Sequence, residues 1–393
     1  MAVLMEEIYA AYKKQYGLSL LAGSSGLKNT IRTIYMIEDI ETSSFLRGGE
    51  LAITTGLSTL HEPGWIGRLL PVLIERHVCG LIVNTGKYIF PEDISPELRR
   101  LCDAQGLPLL TMPWEVYLSD ITQEFWNQIL SARQKNAEIV GAFKNALFSD
   151  RPSAEARSVL HQYGYADNDI YQIALLRFPE LLTPDHPVLQ KMEHSIRFHF
   201  PEEADRILHF PADEWFLLIF HNVNGAVSRR ILKTVFDCFL PAFAAAVRAG
   251  FSHEHPQNLK TAFLQARASL QISCARQLSI TYFSDLGPWQ IYLSVSDQSR
   301  LHDYCNRALA PLLADHKNRA VCIDTLEQYL ACNGHLNKTA QALSCHRNTV
   351  QYRIGKIREL LAVDLDDGNE RFRLHMAISM YRYLEIFPDY KAE

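Results

Sequence analysis

The sequence predicts a multidomain protein of mixed class: an α/β domain first, an α+β domain in the middle, and an all-α bundle at the C-terminal end. Three observations carry this. Strand-like and helix-like runs alternate over the first third. A second mixed region with a hairpin pattern follows a long helical stripe. Beyond Gln298 only helical periodicity remains, and residues 336–361 read as a short helix, a three-residue turn and a second helix. At 393 residues the chain is too long for one typical core, so two to four domains are expected.

In residues 1–115, the segments 32–40, 50–55, 80–85 and 107–112 are short apolar runs that read as buried strands. Residues 63–78 and 95–105 read as helices between them, with Pro63 and Ser95 suited to helix starts. Strands separated by helices imply a partly parallel sheet, whose ligands usually sit beyond the carboxyl ends of strands. Arg47-Gly48-Gly49-Glu50 precedes the second strand and Thr54-Thr55-Gly56 follows it. Arg47, Glu50, Thr54 and Thr55 are therefore candidate contacts for a small polar ligand, against the plainer reading of a tight turn and a capped strand end.

Residues 116–148 form a connecting helix. Leu118, Ile121, Phe125, Ile129, Ala132, Asn136, Ile139, Phe143 and Leu147 recur in steps of three and four and share one face. Such a helix is about 45 Å long at 1.5 Å per residue. One Asn in an apolar seam fixes register in coiled coils, so a dimerising helix is expected. The competing reading is a helix packed on its own domain, broken near Lys135-Asn136.

Residues 165–295 give strands at 170–178, 207–210 and 215–220, with helices at 185–198, 226–246 and 256–278. Two further strands are read at 280–283 and 290–295. The strands at 207–210 and 215–220 form a hairpin across Pro211-Ala212-Asp213-Glu214. His253-Glu254-His255 looks like a metal pair, but histidines two apart do not share a helix face and no third ligand is evident. No metal site, cofactor or catalytic group is expected.

Residues 298–393 are helical. Asp324 is positioned to cap one helix, and Asn333-Gly334 to end it. Between Leu336 and Arg358 the chain carries Lys338, Arg347, Arg353, Lys356 and Arg358 and no acid, although its net charge is −5. A basic patch on an acidic protein is the footprint of a phosphate-docking module. In the helix from Arg347, the residues Val350, Ile354 and Ile357 face inward. Asn348, Tyr352, Gly355 and Lys356 face outward, with Arg347, Thr349, Gln351 and Arg353 on the flanks. Asn and Gln pair bidentately with adenine, and Arg with guanine, in the major groove. With Lys338, Thr339 and His346, these polar residues are the candidate contacts to double-stranded DNA. Gly355 is unusual on an exposed helix face.

The composition, 48% hydrophobic and 21% charged, is that of globular protein. The eight cysteines include no C-x-x-C pair, so a zinc module and a disulfide scaffold are both disfavoured. The first residues lack the apolar core of a signal peptide. The most apolar stretch, 235–251, contains Asp237, Pro241 and Arg248 and cannot span a bilayer. A soluble, cytoplasmic protein without membrane contact is expected.

The segments RGGELAITTG, GLIV and GLPLLTMP resemble the N-terminal domain of PucR-family regulators. Thr339-Ala340-x-x-Leu343, His346-Arg347-Asn348-Thr349 and Tyr352-Arg353, preceded by Asp324-Thr325-Leu326, resemble that family's C-terminal helix-turn-helix. Ala362 stands where a Gly often follows the recognition helix. The segment around FSHEHPQNLKTAFLQARASLQIS resembles the ferredoxin-like, GGDEF-like middle domain of PucR- and CdaR-type proteins. True cyclases need glycines in the hairpin, and Pro211-Ala212 replace them, so no cyclase activity is expected. The resemblance implies a regulator, commonly an activator of catabolic genes, that answers a small-molecule effector and binds operator DNA as a homodimer or higher oligomer. The alternative is a nucleotide-binding protein of degenerate cyclase fold whose helical tail is a protein-interaction module.

Overall fold

A computed structural model describes residues 3–149, 151–179, 186–243, 246–253 and 258–388. The chain divides into two compact units: residues 1–247 with 254–263, and residues 248–253 with 264–393.

The first unit opens with β1 (Val3–Leu4), α1 (Met5–Tyr12), β2 (Ser19–Ala22), β3 (Thr30–Ile31), β4 (Thr33–Met36) and β5 (Glu50–Thr54). It continues with α2 (Trp65–Glu75), β6 (Gly80–Thr85), α3 (Pro96–Gln105), β7 (Leu109–Pro113) and α4 (Leu118–Phe148). A five-stranded sheet runs in the order β2-β7-β6-β5-β4, with β4 to β7 parallel and β2 antiparallel. Side chains alternate across it. Ala52, Leu81, Val83 and Leu109 meet Trp65, Leu69 and Leu73 of α2 and Cys102 of α3. Leu51, Ile53, Ile82 and Leu110 meet Ile8 of α1 and Ile121, Phe125 and Ile129 of α4. The helix expected from Pro63 starts at Trp65, after the left-handed Gly64. Ser95 caps α3, accepting from the Leu98 N–H.

The apolar stripe of α4 is thus buried within its own unit. Its second half continues this: Phe143 packs edge-on to Tyr165 at 5.0 Å and to Tyr171 at 6.2 Å, and Ile139 and Leu147 are buried. Burial within the unit covers Ile121, Phe125, Ile129, Ile139, Phe143 and Leu147 of the stripe expected to pair two copies, and leaves Leu118, Ala132 and Asn136 half-buried. The helix is also unbroken through Lys135-Asn136, running 31 residues.

The unit continues with α5 (Ala154–Gln162), β8 (Tyr171–Arg177), α6 (Pro187–His199), β9 (Ile207–Ala212), β10 (Trp215–His221) and α7 (Gly225–Phe243). β10 pairs antiparallel with both β8 and β9. Pro211 and Ala212 do not lie in the hairpin turn. They belong to β9, opposite Phe216 and Trp215, and the loop is Asp213-Glu214 alone, with Asp213 left-handed at φ 51°. β9 is the outer strand of its sheet, where a proline's missing N–H costs no ladder bond.

The second unit contains β11 (Arg248–Phe251) pairing parallel with β12 (Ile280–Tyr282). Most of α8 (Leu259–Ala275) belongs to it, followed by α9 (Trp289–Leu293), α10 (Ser299–Ala314), α11 (Arg319–Ala331), α12 (Leu336–Ala342), α13 (Arg347–Leu361) and α14 (Gly368–Ile386). A Cβ on Gly250 would lie 2.1 Å from the Leu270 backbone nitrogen, so strand and helix approach only because residue 250 is glycine. The strand expected at 290–295 is instead the helix α9, which buries Trp289, Tyr292 and Leu293 against Tyr383 and Phe387 of the α14 end. Helix α11 begins at Arg319, so Asp324 is not its cap. Its carboxylate pairs with Arg382 of α14, which also binds Glu327 at 2.8 Å and Glu385 at 3.0 Å.

Of the His253-Glu254-His255 motif, Glu254 and His255 lie outside the described residues, as does Pro256. Among the described residues, no cluster of three or more His, Cys, Asp or Glu could hold a metal ion. No described helix is long and apolar enough to cross a membrane.

Candidate nucleic-acid interface

The helix-turn-helix is built on a packed base. Val350, Ile354 and Ile357 of α13 are buried with Leu309, Leu312, Ile323, Leu326 and Leu374, as their spacing requires. Burying that face fixes which residues α13 turns to solvent.

The turn between α12 and α13 is closed locally. Ser344 adopts a left-handed conformation at φ 50°. His346 is the N-cap of α13, its Nδ1 accepting from the Asn348 N–H at 3.2 Å. The His346 ring therefore has a structural task at the interface. At the far end, Ala362 takes the left-handed C-cap conformation, φ 51° and ψ 44°. The helix therefore stops where a glycine would stop it, at the conformational cost of a Cβ.

Arg347, Asn348, Gln351 and Tyr352 are exposed on α13, Tyr352 by 73%. Lys338 is exposed on α12, and Thr349, Arg353 and Lys356 are half-buried. Lys356 lies 3.7 Å from Asp315, and Arg358 3.1 Å from Asp366. Hydrogen bonds from Asn318, aided by Lys356, hold the Asp315 carboxyl below its ordinary range despite some desolvation. Lys338, Arg347 and Arg353 form no salt bridge among the described residues. Thr339 is a correction: it is fully buried, and its hydroxyl donates to the His335 carbonyl at 3.0 Å, so no surface is left for a nucleic acid. A Cβ on Gly355 would meet nothing within 4 Å. The fold itself therefore gives no reason for glycine there.

The four ligand candidates do not converge. Arg47 lies before β5 and Thr54-Thr55 at its far end, the steps from Glu50 to Thr54 alone spanning roughly 13 Å at about 3.3 Å per residue. Glu50 is buried, accepting from the Arg47 and Gly48 N–H groups at 2.8 Å each. Thr54 is buried too. Its hydroxyl donates to Glu38 at 3.2 Å, and Glu38 also accepts from the Thr55 N–H at 2.6 Å. Glu50 and Thr54 thus close their own loops, while Arg47 is exposed and Thr55 half-buried. Sequence reasoning missed Glu38, whose role depends on a contact 16 residues away.

Residues 9–129 match the purine catabolism regulatory protein-like family, PucR, and residues 322–380 match the PucR C-terminal helix-turn-helix domain. The purine catabolism regulatory protein of Bacillus subtilis is 25% identical over 45% of this chain and 32% of its own length. The proline-responsive transcriptional activator PutR of the same organism is 28% identical over 41% of each chain. The DNA-binding transcriptional activator AdeR, also from B. subtilis, is 29% identical over 26% of this chain and 25% of its own length. The matches thus span between a quarter and two fifths of these relatives. A regulator of polyketide synthase expression from Bifidobacterium adolescentis, a solved structure, aligns at 18% identity over 65% of this chain and 98% of its own, with a TM-score of 0.26. By its matches at both ends, the chain carries the N-terminal region and the C-terminal helix-turn-helix domain of the PucR family.

Proposed function

We propose that this chain is a ligand-responsive transcriptional regulator that binds double-stranded operator DNA through α12 and α13. One observation carries the reading: the outward face of α13 offers Arg347, Asn348, Gln351 and Tyr352 on a helix anchored from behind by Val350, Ile354 and Ile357. A helix seated this way fits the major groove, with polar side chains at base edges and cations at phosphates. The names of PutR and AdeR favour activation. That of the purine catabolism regulator favours control of a catabolic operon.

In this reading residues 1–115 sense the effector, residues 165–295 form a GGDEF-like relay, and residues 298–393 bind DNA in the cytoplasm. Two copies act together, because one module contacts too few phosphates for tight specific binding. They pair through a surface other than the buried stripe of α4. An effector shifts DNA binding only by its unequal affinity for two arrangements of the protein. The continuous α4 is the element proposed to differ between them. Selection of bound duplexes from a random library tests the reading. Two half-sites spaced about 10 base pairs centre to centre, or a multiple, are expected. Recovery of no motif would overturn it, and a single half-site would overturn the dimer.

A further inference from the structure

The first unit contains a cavity of about 390 Å³ at the amino ends of the parallel strands, the end away from Thr54 and Thr55. That volume suits a small metabolite. Lys28, Arg32, Arg47 and His77 line it from the N-terminal region, and Lys191, His194 and Arg197 from α6. No Asp or Glu lines it. In a chain with 44 acidic and 39 basic residues, an arbitrary cavity would be mixed.

The nearest carboxylates do not line this space. Glu50 is turned into its own loop by the Arg47 and Gly48 N–H groups. Asp205 pairs with Arg197 at 3.0 Å. Glu193 is desolvated, which raises its pKa, yet His209 at 3.0 Å, Arg32 and Arg197 hold it below the ordinary carboxylate range. With Arg32 and Arg197 facing Glu193 and Asp205, Lys28, Arg47 and Lys191 remain as permanent cations that form no salt bridge among the described residues. Like charges gathered at close range cost stability unless an anion joins them. The backbone holds the arrangement: Gly49 is left-handed at φ 81°, and a Cβ there would press the Arg32 side chain at 2.9 Å. The Gly-Gly step thus shapes the cavity wall and lets Arg32 lie against it.

We propose that this cavity is the effector site and takes a small organic molecule with two or more negative charges, held by Arg47, Lys28 and Lys191. Guanidinium groups bind carboxylate and phosphate oxygens in pairs, so the shared chemistry is a di- or tricarboxylate or a phosphorylated metabolite. The proposal rests on the reading of the N-terminal region as the sensor.

Citrate and pyrophosphate serve as probes on the full-length chain, by calorimetry at constant ionic strength, with glucose as the neutral control. Saturable binding of at least one anion is expected. Binding of citrate alone assigns carboxylates, and of pyrophosphate alone, phosphates. The Arg47→Ala/Lys191→Ala variant should weaken binding at least tenfold, with Arg47→Lys recovering part of the loss, while Lys14→Ala, an exposed cation remote from both sites in the sequence, leaves it unchanged. The site is overturned if neither anion saturates, if glucose binds equally, or if the double variant binds as before. DNA binding is measured separately. Anion binding without DNA binding would sink the regulator and leave this site standing, and the converse would sink this site alone.

Discussion

Gly355 offers the sharpest single substitution. It is the ninth residue of the 15-residue α13, well inside the helix, where glycine costs about 0.8–1.0 kcal/mol relative to alanine. A Cβ there meets nothing within 4 Å, so Gly355→Ala adds no internal clash to offset the gain. The variant should be stabilised by about 0.5–1 kcal/mol, which for a cooperative unit of this size raises its melting transition by roughly 2–4 °C. Asn348, Tyr352 and Gly355 share one face of the helix, so an added methyl projects toward a docked duplex. If the DNA backbone approaches as closely as the bare Cα permits, binding should fall about tenfold, or 1.4 kcal/mol. Calorimetric melting and fluorescence anisotropy with the selected duplex measure the two effects together. Higher stability with undiminished DNA affinity would refute close approach at Gly355. Lower stability would refute the claim that its environment is open.

Three further substitutions separate reading, positioning and scaffold. Asn348→Ala should relax base preference by about 1–3 kcal/mol at one position, whereas Lys338→Ala should weaken all sequences alike; competition assays with mutated duplexes decide, and equal losses for both would contradict the assignment. Thr339→Val should lower stability with little change in base preference, since the hydroxyl is spent on the His335 carbonyl; a selective loss of specificity in the selection assay would restore Thr339 as a contact. Arg382→Ala removes charged hydrogen bonds to Asp324, Glu327 and Glu385. It should cost about 1–3 kcal/mol in urea unfolding, and an unchanged midpoint would show that this network adds nothing.

What was legible in the sequence follows from how local each signal is. β6 matches its apolar run, Gly80–Thr85, because a strand buried on both faces needs no partner to declare it. The α12-turn-α13 unit was equally plain, since its spacing and caps lie within a few residues. The misreadings share a different cause. At 290–295 a short apolar run fits either period, and contacts with Tyr383 decided for helix. Asp324 looked like a cap because the turn before it, Arg319–Ile323, carries no helix signal of its own. The stripe of α4 was real, but periodicity names a face and not what covers it. The cationic cavity escaped notice because Lys28, Arg47, His77 and Lys191 are brought together only by the fold.

The salt dependence of DNA binding tests the central claim most directly. Lys338, Arg347 and Arg353 are not drawn into salt bridges among the described residues. Two copies would then place roughly six cations on phosphates, giving a log–log slope of about −5 at −0.9 per contact. Affinity should drop about a thousandfold between 50 and 200 mM salt. A flat slope, or no binding to any duplex, would contradict the account.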